Sequence, residues 1–460
     1  MRFSLAPLFF ASVVISSVAA TSRAYFGAAP NRRSDKTIRA NDFGVYIIYP
    51  EHPSDERLNK QVEERLGEIA GRAQVFTGRT DRVLLWSGRM NAAEAATARK
   101  TPGVRAVHED RGATGPLPDT AHKAIRSAVS STHGKRGDSD SGYIRQKGDI
   151  ADLAATSQPK DTEQRQYSDY AFHESAAEGI WVYSIEDGVI RSKELSRVQT
   201  VQTPRAKSSG VNPDMERGIE PHGSCVMSKA VGQDYGIAKK ASLVAVQQGA
   251  DSRSEFLFAL VEAYNHITSD DDRKRKSVVS ITLQFEDEFN DNGEFDVFKE
   301  TMGILFDQFV KADVPVIMAA GNSGLEPGHN GVDRYPQLFA GEKPLIAVSA
   351  VDATGVLLPK SQRGRETTIY AAGEGSCSVN GVRYFASGTS QAQAVVTGVV
   401  AYWLGMPRGK GPQIKAKSGE FVKELIKYMQ SDDGSWARKS GLRMIWNGVT
   451  EDQYEGAEKP

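Results

Sequence analysis

The sequence predicts an α/β protein: a doubly wound, mainly parallel sheet flanked by helices, preceded by a small α+β unit. Three observations carry this prediction. After about Tyr167, short apolar runs without polar alternation are separated by helical stretches, which suits strands buried on both faces. From Asp42 to Asp110, five shorter elements crowd into about seventy residues. Between the two, from Arg111 to about Gln164, Tyr143 is the only Phe, Trp or Tyr, while Ser, Asp, Lys, Arg and Gly accumulate.

The elements follow in order. Arg2 precedes an apolar stretch from Leu5 to Val18 and the small residues Val18-Ala19-Ala20, so residues 1–20 are expected to be a cleaved secretory signal and the protein to be secreted. The stretch is short for a span of about 20 residues, and Ser16-Ser17 interrupt it, which argues against an anchor. Residues 21–110 hold the small unit, of ferredoxin-like type. Its elements are a strand Val45–Tyr49, a helix Asp55–Ile69, a strand Val83–Trp86, a helix Ala92–Lys100 and a strand Val104–His108. Residues 111–165 form a linker, protease-accessible around Ser130–Gly142. The main domain spans 166–450, with strands expected at Ile180–Ile185, Leu243–Val246, Val278–Leu283, Val314–Ala320 and Leu345–Val351, and 451–460 form a tail.

Composition excludes some partners. The 460 residues carry 57 Lys+Arg against 58 Asp+Glu, a formal charge of −1, so no global field draws the chain to nucleic acid or an anionic membrane. The run Asp270-Asp271-Asp272 then Arg273-Lys274-Arg275-Lys276 reads as a solvated loop. Cys225 and Cys377 either pair as one disulfide or remain two buried thiols.

In parallel sheets, ligands bind beyond the carboxyl ends of the strands. Chemistry-bearing residues stand at such places. Glu186-Asp187-Gly188 end one strand, and a carboxylate there can orient a histidine. His222-Gly223-Ser224-Cys225 begin a helix. Ala319-Ala320-Gly321-Asn322 put an amide on a Gly-rich turn, and a neutral amide donor suits an oxyanion. Phe385-Ala386-Ser387-Gly388-Thr389-Ser390 lead into a helix with apolar positions at Ala392, Val395, Val396 and Val399. Ser390 thus lies in its first turn, where backbone N–H groups have no intrahelical acceptor. Each feature alone is ordinary: a serine before a helix is most often a cap, and His133-Gly134 shows that His-Gly can be a plain turn. The order Glu186, His222, Asn322, Ser390, each beside the sheet's carboxyl edge or opening a helix, is what points to acyl transfer.

That order also excludes competitors. Esterase-type hydrolases run Ser, acid, His, but the last histidine, His329, precedes Ser390. The order His, acid, Ser belongs to antiparallel barrels. No zinc-ligand spacing occurs among the eight histidines. A thiol peptidase on Cys225 has no second histidine to serve it.

Read together, these residues resemble the subtilisin-like serine proteases, and most nearly the secreted proteinase K-like branch. That family's Asp-Thr/Ser-Gly, His-Gly-Thr, Ala-Ala-Gly-Asn and Gly-Thr-Ser-Met-Ala motifs correspond here to Glu186-Asp187-Gly188, His222-Gly223-Ser224, Ala319–Asn322 and Gly388-Thr389-Ser390-Gln391-Ala392, with Gly398 closing the last. The resemblance implies a serine endopeptidase with Ser390 as nucleophile, His222 as base, Glu186 as orienting acid and Asn322 as oxyanion donor. It implies a peptide-binding edge at Thr282, Leu283, Gln284, Ala320 and Gly321, and polypeptide substrates. It also implies that the small unit, with Trp86-Ser87-Gly88-Arg89-Met90 and Pro102–Val107, is an inhibitory propeptide released by cleavage in the linker, Lys135-Arg136 being one candidate. A monomer is expected. No cofactor or metal site is named, and structural calcium is left open.

Three departures from the family pattern stand out. Glu186 replaces Asp and places its carboxylate roughly 1.5 Å further out. On that ground Glu186→Asp is expected to speed turnover. Gln284-Phe285 replace a Gly-Gly pair, which is expected to obstruct the binding edge. Gln393-Ala394-Val395 alter packing after the nucleophile. The first two motivate an alternative, a secreted pseudoprotease that binds a peptide without cutting it. Cys225, three residues after His222, is expected to confer mercurial sensitivity if its thiol is free.

Overall fold

The computed structural model describes residues 43–70, 75–112, 122–123, 142–148, 150–160, 162, 167–217, 221–287, 293–412, 420–437 and 441–457. The signal expected at 1–20 and the Lys135-Arg136 candidate lie outside them.

The first elements are β1 (Gly44–Pro50), α1 (Glu56–Ile69), β2 (Val75–Arg79), β3 (Val83–Met90), α2 (Ala92–Ala98) and β4 (Val104–Glu109). They form a four-stranded antiparallel sheet in the order β2-β3-β1-β4. Asp55 starts α1 by accepting from Leu58 N at 2.9 Å, and Asn91 with Glu94 makes a reciprocal capping box on α2. Val62 and Leu66 of α1 and Ala95 and Ala98 of α2 bury against Trp86 and Ile48 on one face of the sheet. The other face, with Ile47, Tyr49 and Leu84, joins the core of the larger domain. β2 was absent from the sequence reading because it is a half-buried edge strand with little apolar signal.

The next elements are β5 (His122–Lys123), β6 (Tyr143–Gln146), α3 (Ala151–Ser157), β7 (Tyr170–His173), β8 (Trp181–Glu186), β9 (Val198–Gln202) and α4 (Pro204–Ser208). After them come α5 (His222–Val231), β10 (Ser242–Gln247), α6 (Arg253–Thr268), β11 (Ser277–Ile281), α7 (Glu294–Lys311), β12 (Val316–Ala319), β13 (Ile346–Val351) and β14 (Thr367–Ala372). The described chain ends with β15 (Glu374–Val379), β16 (Val382–Ser387), α8 (Thr389–Leu404), α9 (Phe421–Gln430), β17 (Ser435–Ala437), β18 (Arg443–Ile445) and α10 (Glu451–Glu455).

Nine strands form the main sheet in the order β17-β18-β14-β13-β12-β11-β8-β10-β9, parallel except for the β17–β18 pair. Because side chains alternate along a strand, each strand feeds two cores. Val182 of β8 and Val278 of β11 pack with α5 and α8, whereas Tyr183, Ile185, Val279 and Ile281 pack with α6 and α7. α5 and α8 lie close enough that a Cβ on Gly398 would stand 2.8 Å from Ala230 O, which is why the helix needs glycine there. β9 and β10 lie on one side of β8 and β11 to β14 build outward on the other, which makes the carboxyl end of β8 the topological switch point where a crevice forms.

Part of the expected linker belongs to this domain. β6 pairs with β7, and α3 is buried, its Asp152 paired with Lys229 of α5 where neither side chain meets solvent. Each charge offsets the other's loss of water, which an unpaired charge there could not survive. The tail is also packed, with the Tyr454 ring of α10 4.4 Å from that of Tyr167.

Candidate active site

Strand parity aims the first candidate. Val182 faces the α5/α8 side, so Ser184 and Glu186 of the same strand face it too. Glu186 is buried, and its Oε2 accepts from Nδ1 of His222 at 3.1 Å. Its Oε1 accepts from the Thr282 hydroxyl, just beyond β11. Both carboxylate oxygens are thus engaged, one by the imidazole and one by a buried hydroxyl, which fixes the orientation of the group.

Asp187 turns elsewhere. Its carboxylate takes Arg217, whose Nη2 also binds Asp251 at 2.6 Å and whose Nε donates to Gln248 O at 3.0 Å. Burial first, then the neighbouring Asp251 carboxylate, pushes Asp187 up to about 8, against the pull of Arg217. Glu186, not Asp187, therefore meets His222. The longer side chain is accommodated rather than misplaced, which removes the basis for expecting Glu186→Asp to be faster: an aspartate would fall short of one anchor.

His222 opens α5, and Ser390 lies in the first turn of α8. The starts of the two helices adjoin, since Cys225 Sγ, one turn after His222, lies 3.8 Å from Oε1 of Gln391, the residue after Ser390. Asn322 follows β12, and its Oδ1 accepts from Thr389 N at 2.8 Å and from the Thr389 hydroxyl at 3.1 Å. A backbone N–H can only donate, so the amide oxygen must face Thr389 and the NH₂ group must face away from it. Thr389 Oγ1 also accepts from Gly321 N at 3.1 Å, tying the Asn322 turn to the residue before Ser390.

The expected binding edge divides. Thr282 serves Glu186, Leu283 is core, and Ala320 N continues the sheet ladder to Val348 O at 2.9 Å. Phe285 points into the α6/α7 core against Phe256 and Phe298, so it does not obstruct a cleft. Gln284 is buried, and its Oε1 lies 3.4 Å from where a Cβ on Gly321 would stand. Gln393, three residues after Ser390, donates to Ser280 Oγ at 2.8 Å and Ile317 O at 3.0 Å, pinning α8 to β11 and β12.

Cys225 and Cys377 are joined as a disulfide between α5 and β15. No free thiol remains at Cys225, so the expected mercurial sensitivity is dropped. Among the described residues, no group of three or more His, Cys, Asp or Glu side chains is placed to hold a metal ion.

A family model described as the subtilase family matches residues 172–426, more than half of the chain, and takes in all four clusters. The chain belongs to the subtilase family. Among curated relatives, subtilisin-like protease 2 of Arthroderma otae is 25% identical over 380 residues, covering 80% of this chain and 77% of its own. Subtilisin-like protease 2 of Trichophyton rubrum is 26% identical over 377 residues, covering 80% and 76%. A solved cold-adapted subtilisin-like serine proteinase is 17% identical, covers 65% of this chain and 99% of its own, and has a TM-score of 0.48. The mainly parallel sheet between helical layers is the α/β fold of a subtilase.

Within this subtilase, sequence reasoning missed two groups. Thr389 was read only as part of a motif, although it fixes the amide of Asn322. Glu216, six residues before His222, was not read at all. Its signal was available: an acidic residue shortly before a helix start is a candidate cap.

Proposed function

We propose that this subtilase is a secreted serine endopeptidase acting through an acyl-enzyme on Ser390. The observation that carries the proposal is the relay Thr282–Glu186–His222, in which a buried carboxylate holds Nδ1 of the imidazole at 3.1 Å. With Nδ1–H donated to Glu186, Nε2 is left as the basic nitrogen. His222 takes the proton of the Ser390 hydroxyl as the oxygen attacks a peptide carbonyl. The tetrahedral oxyanion is held by the Asn322 NH₂ group and the Ser390 N–H. Collapse expels the amine, which takes its proton from His222, and water then cleaves the ester by the same route.

The small unit acts on this site as an inhibitory propeptide. Three contacts support that reading. Gly112 pairs antiparallel with Ser252, and Arg253 N donates to Arg111 O at 3.1 Å. Asp110 accepts from Ser254 N at 3.0 Å and Ser252 Oγ at 2.8 Å, at the start of α6. Arg105 meets Glu300 of α7 with two bonds, at 3.0 and 2.7 Å. The small unit thereby leads its own chain along the segment just after β10, beside the carboxyl end of the sheet.

The test is labelling of the purified, processed protein with a fluorophosphonate probe, with Ser390→Ala as control. Labelling that vanishes in the variant supports an activated serine. A folded, processed wild type that takes no probe would overturn the proposal in favour of a peptide-binding scaffold.

A further inference from the structure

Glu216 stands at the amino end of α5. Its Oε1 accepts from Gly223 N, and its Oε2 accepts from Ser224 N at 3.0 Å and from the Ser224 hydroxyl. These are first-turn donors, which no carbonyl of the helix itself can reach. The Ser224 hydroxyl in turn accepts from Ile190 N at 2.9 Å, two residues past Gly188. The first turn of α5 is thereby tied to the loop that follows the Glu186 strand.

Gly223 shows how close the packing is. A Cβ on it would lie 2.5 Å from Gly188 O, 3.1 Å from Glu186 Cβ and 3.2 Å from Glu216 Oε1. Only glycine lets two glutamates approach the same turn. His222 is the residue before this glycine, so whatever fixes the turn fixes the root of the imidazole.

We infer that Glu216 is a positioning residue for His222, anchoring the first turn of α5 through its carboxylate and stabilising positive charge on the imidazole. This rests on the reading of His222 as the base. The charged groups that face Glu216 are His222 on α5 and Glu186 at the end of β8, while the adjacent Arg217 is committed to Asp187 and Asp251. Burial pushes Glu216 up to about 7, and Glu186 adds to this, while the bonds from Ser224 and the charge on His222 pull it down. It therefore changes charge in the pH range where an imidazole does. Removing the negative charge makes His222 harder to protonate, so the acid limb of activity should move to lower pH. An amide at this place also turns NH₂ toward one of the donors, which loosens the turn.

The experiment follows the His222 imidazole by NMR with labelled histidine in Ser390→Ala protein, with and without Glu216→Gln. The variant is expected to lower the imidazole's titration midpoint by roughly a few tenths of a pH unit, since Glu216 is itself only partly ionised where an imidazole titrates. In the protein with Ser390 intact, the acid limb of kcat/KM should shift in the same direction, and kcat on the plateau should fall about tenfold. An unmoved titration in folded Glu216→Gln protein would overturn the inference, since a merely structural cap would not act on the imidazole's charge. If Glu216→Gln does not fold, Glu216→Asp carries the test: it keeps the charge but shortens the reach, so the midpoint should hold while plateau kcat falls, and an unchanged kcat would sink the idea. Failure of the wild type to take a fluorophosphonate would remove the catalytic reading alone, because the titration is read without Ser390.

Discussion

The two ends of the candidate site are built in different ways. At the proposed oxyanion end, Ala319–Asn322 and Gly388–Ser390 match the family's motifs, and one residue, Thr389, organises the contact with bonds to Asn322 Oδ1 and Gly321 N. At the proposed acid–base end, the motif is altered at Glu186, and the geometry is completed by two further side chains: Thr282, read from the sequence only as binding edge, on one carboxylate oxygen, and Glu216, outside any motif, under the first turn of the histidine helix. A conserved-looking motif can hold itself together with short local bonds. An altered one needs partners brought from distant strands and loops, and these are visible only once the chain is folded.

The largest effect expected from breaking this contrast lies at the oxyanion end. Asn322→Ala should lower kcat by about 10²–10³ with little change in KM, a range that comes from subtilisin itself, a relative by family. At the acid–base end, Thr282→Val leaves Glu186 Oε1 buried without its donor, a loss of about 1–3 kcal/mol. That corresponds to roughly 5- to 160-fold in kcat/KM. Thr282→Ser should stay near wild type, and equal loss in both variants would show that the methyl packing, not the hydroxyl, matters. Glu186→Asp should cost about tenfold in kcat, because the shortened carboxylate cannot hold both Thr282 and Nδ1 of His222. A faster Glu186→Asp enzyme would restore the opposite, length-based argument. Steady-state kinetics on one peptide substrate decides all three.

Legibility in the sequence followed the same divide. Five apolar runs located the central strands, because strands buried on both faces leave an uninterrupted signal. Strands β9 and β14 and the edge pair β17–β18 were not seen, being short or half-buried. The Ser and Asn clusters could be read from motif and position. Glu186 was named as the orienting acid by resemblance, and the folded geometry gives it the His222 bond. The fate of Phe285 could not be read, because a large side chain in a glycine's place can turn either to the cleft or to the core, and only the Phe256 and Phe298 contacts decide it. Likewise α3 looked like linker because its anchor is a buried ion pair, Asp152 with Lys229, and charge at low hydropathy reads as solvent exposure.

The smallest expected effect concerns stability and tests the acid–base end without catalysis. Glu216 has a folded value near 7 against an ordinary glutamate value of 4.5, raised chiefly by burial. The folded state therefore holds a proton that the unfolded chain releases between about pH 4.5 and 7. Where the native state binds more protons, stability falls as pH rises, so this group favours folding most below about pH 4.5 and loses that contribution as pH climbs through 7. Asp187, raised from 3.8 to about 8 by burial and by Asp251, acts in the same direction over a similar window. Urea unfolding of Ser390→Ala protein, which cannot digest itself, should show a midpoint that declines from pH 5 to pH 8. Glu216→Gln should flatten that decline, since an amide titrates nowhere in the window. A slope unchanged by Glu216→Gln would mean that Glu216 stays ionised throughout, held by its three donors more strongly than burial opposes it.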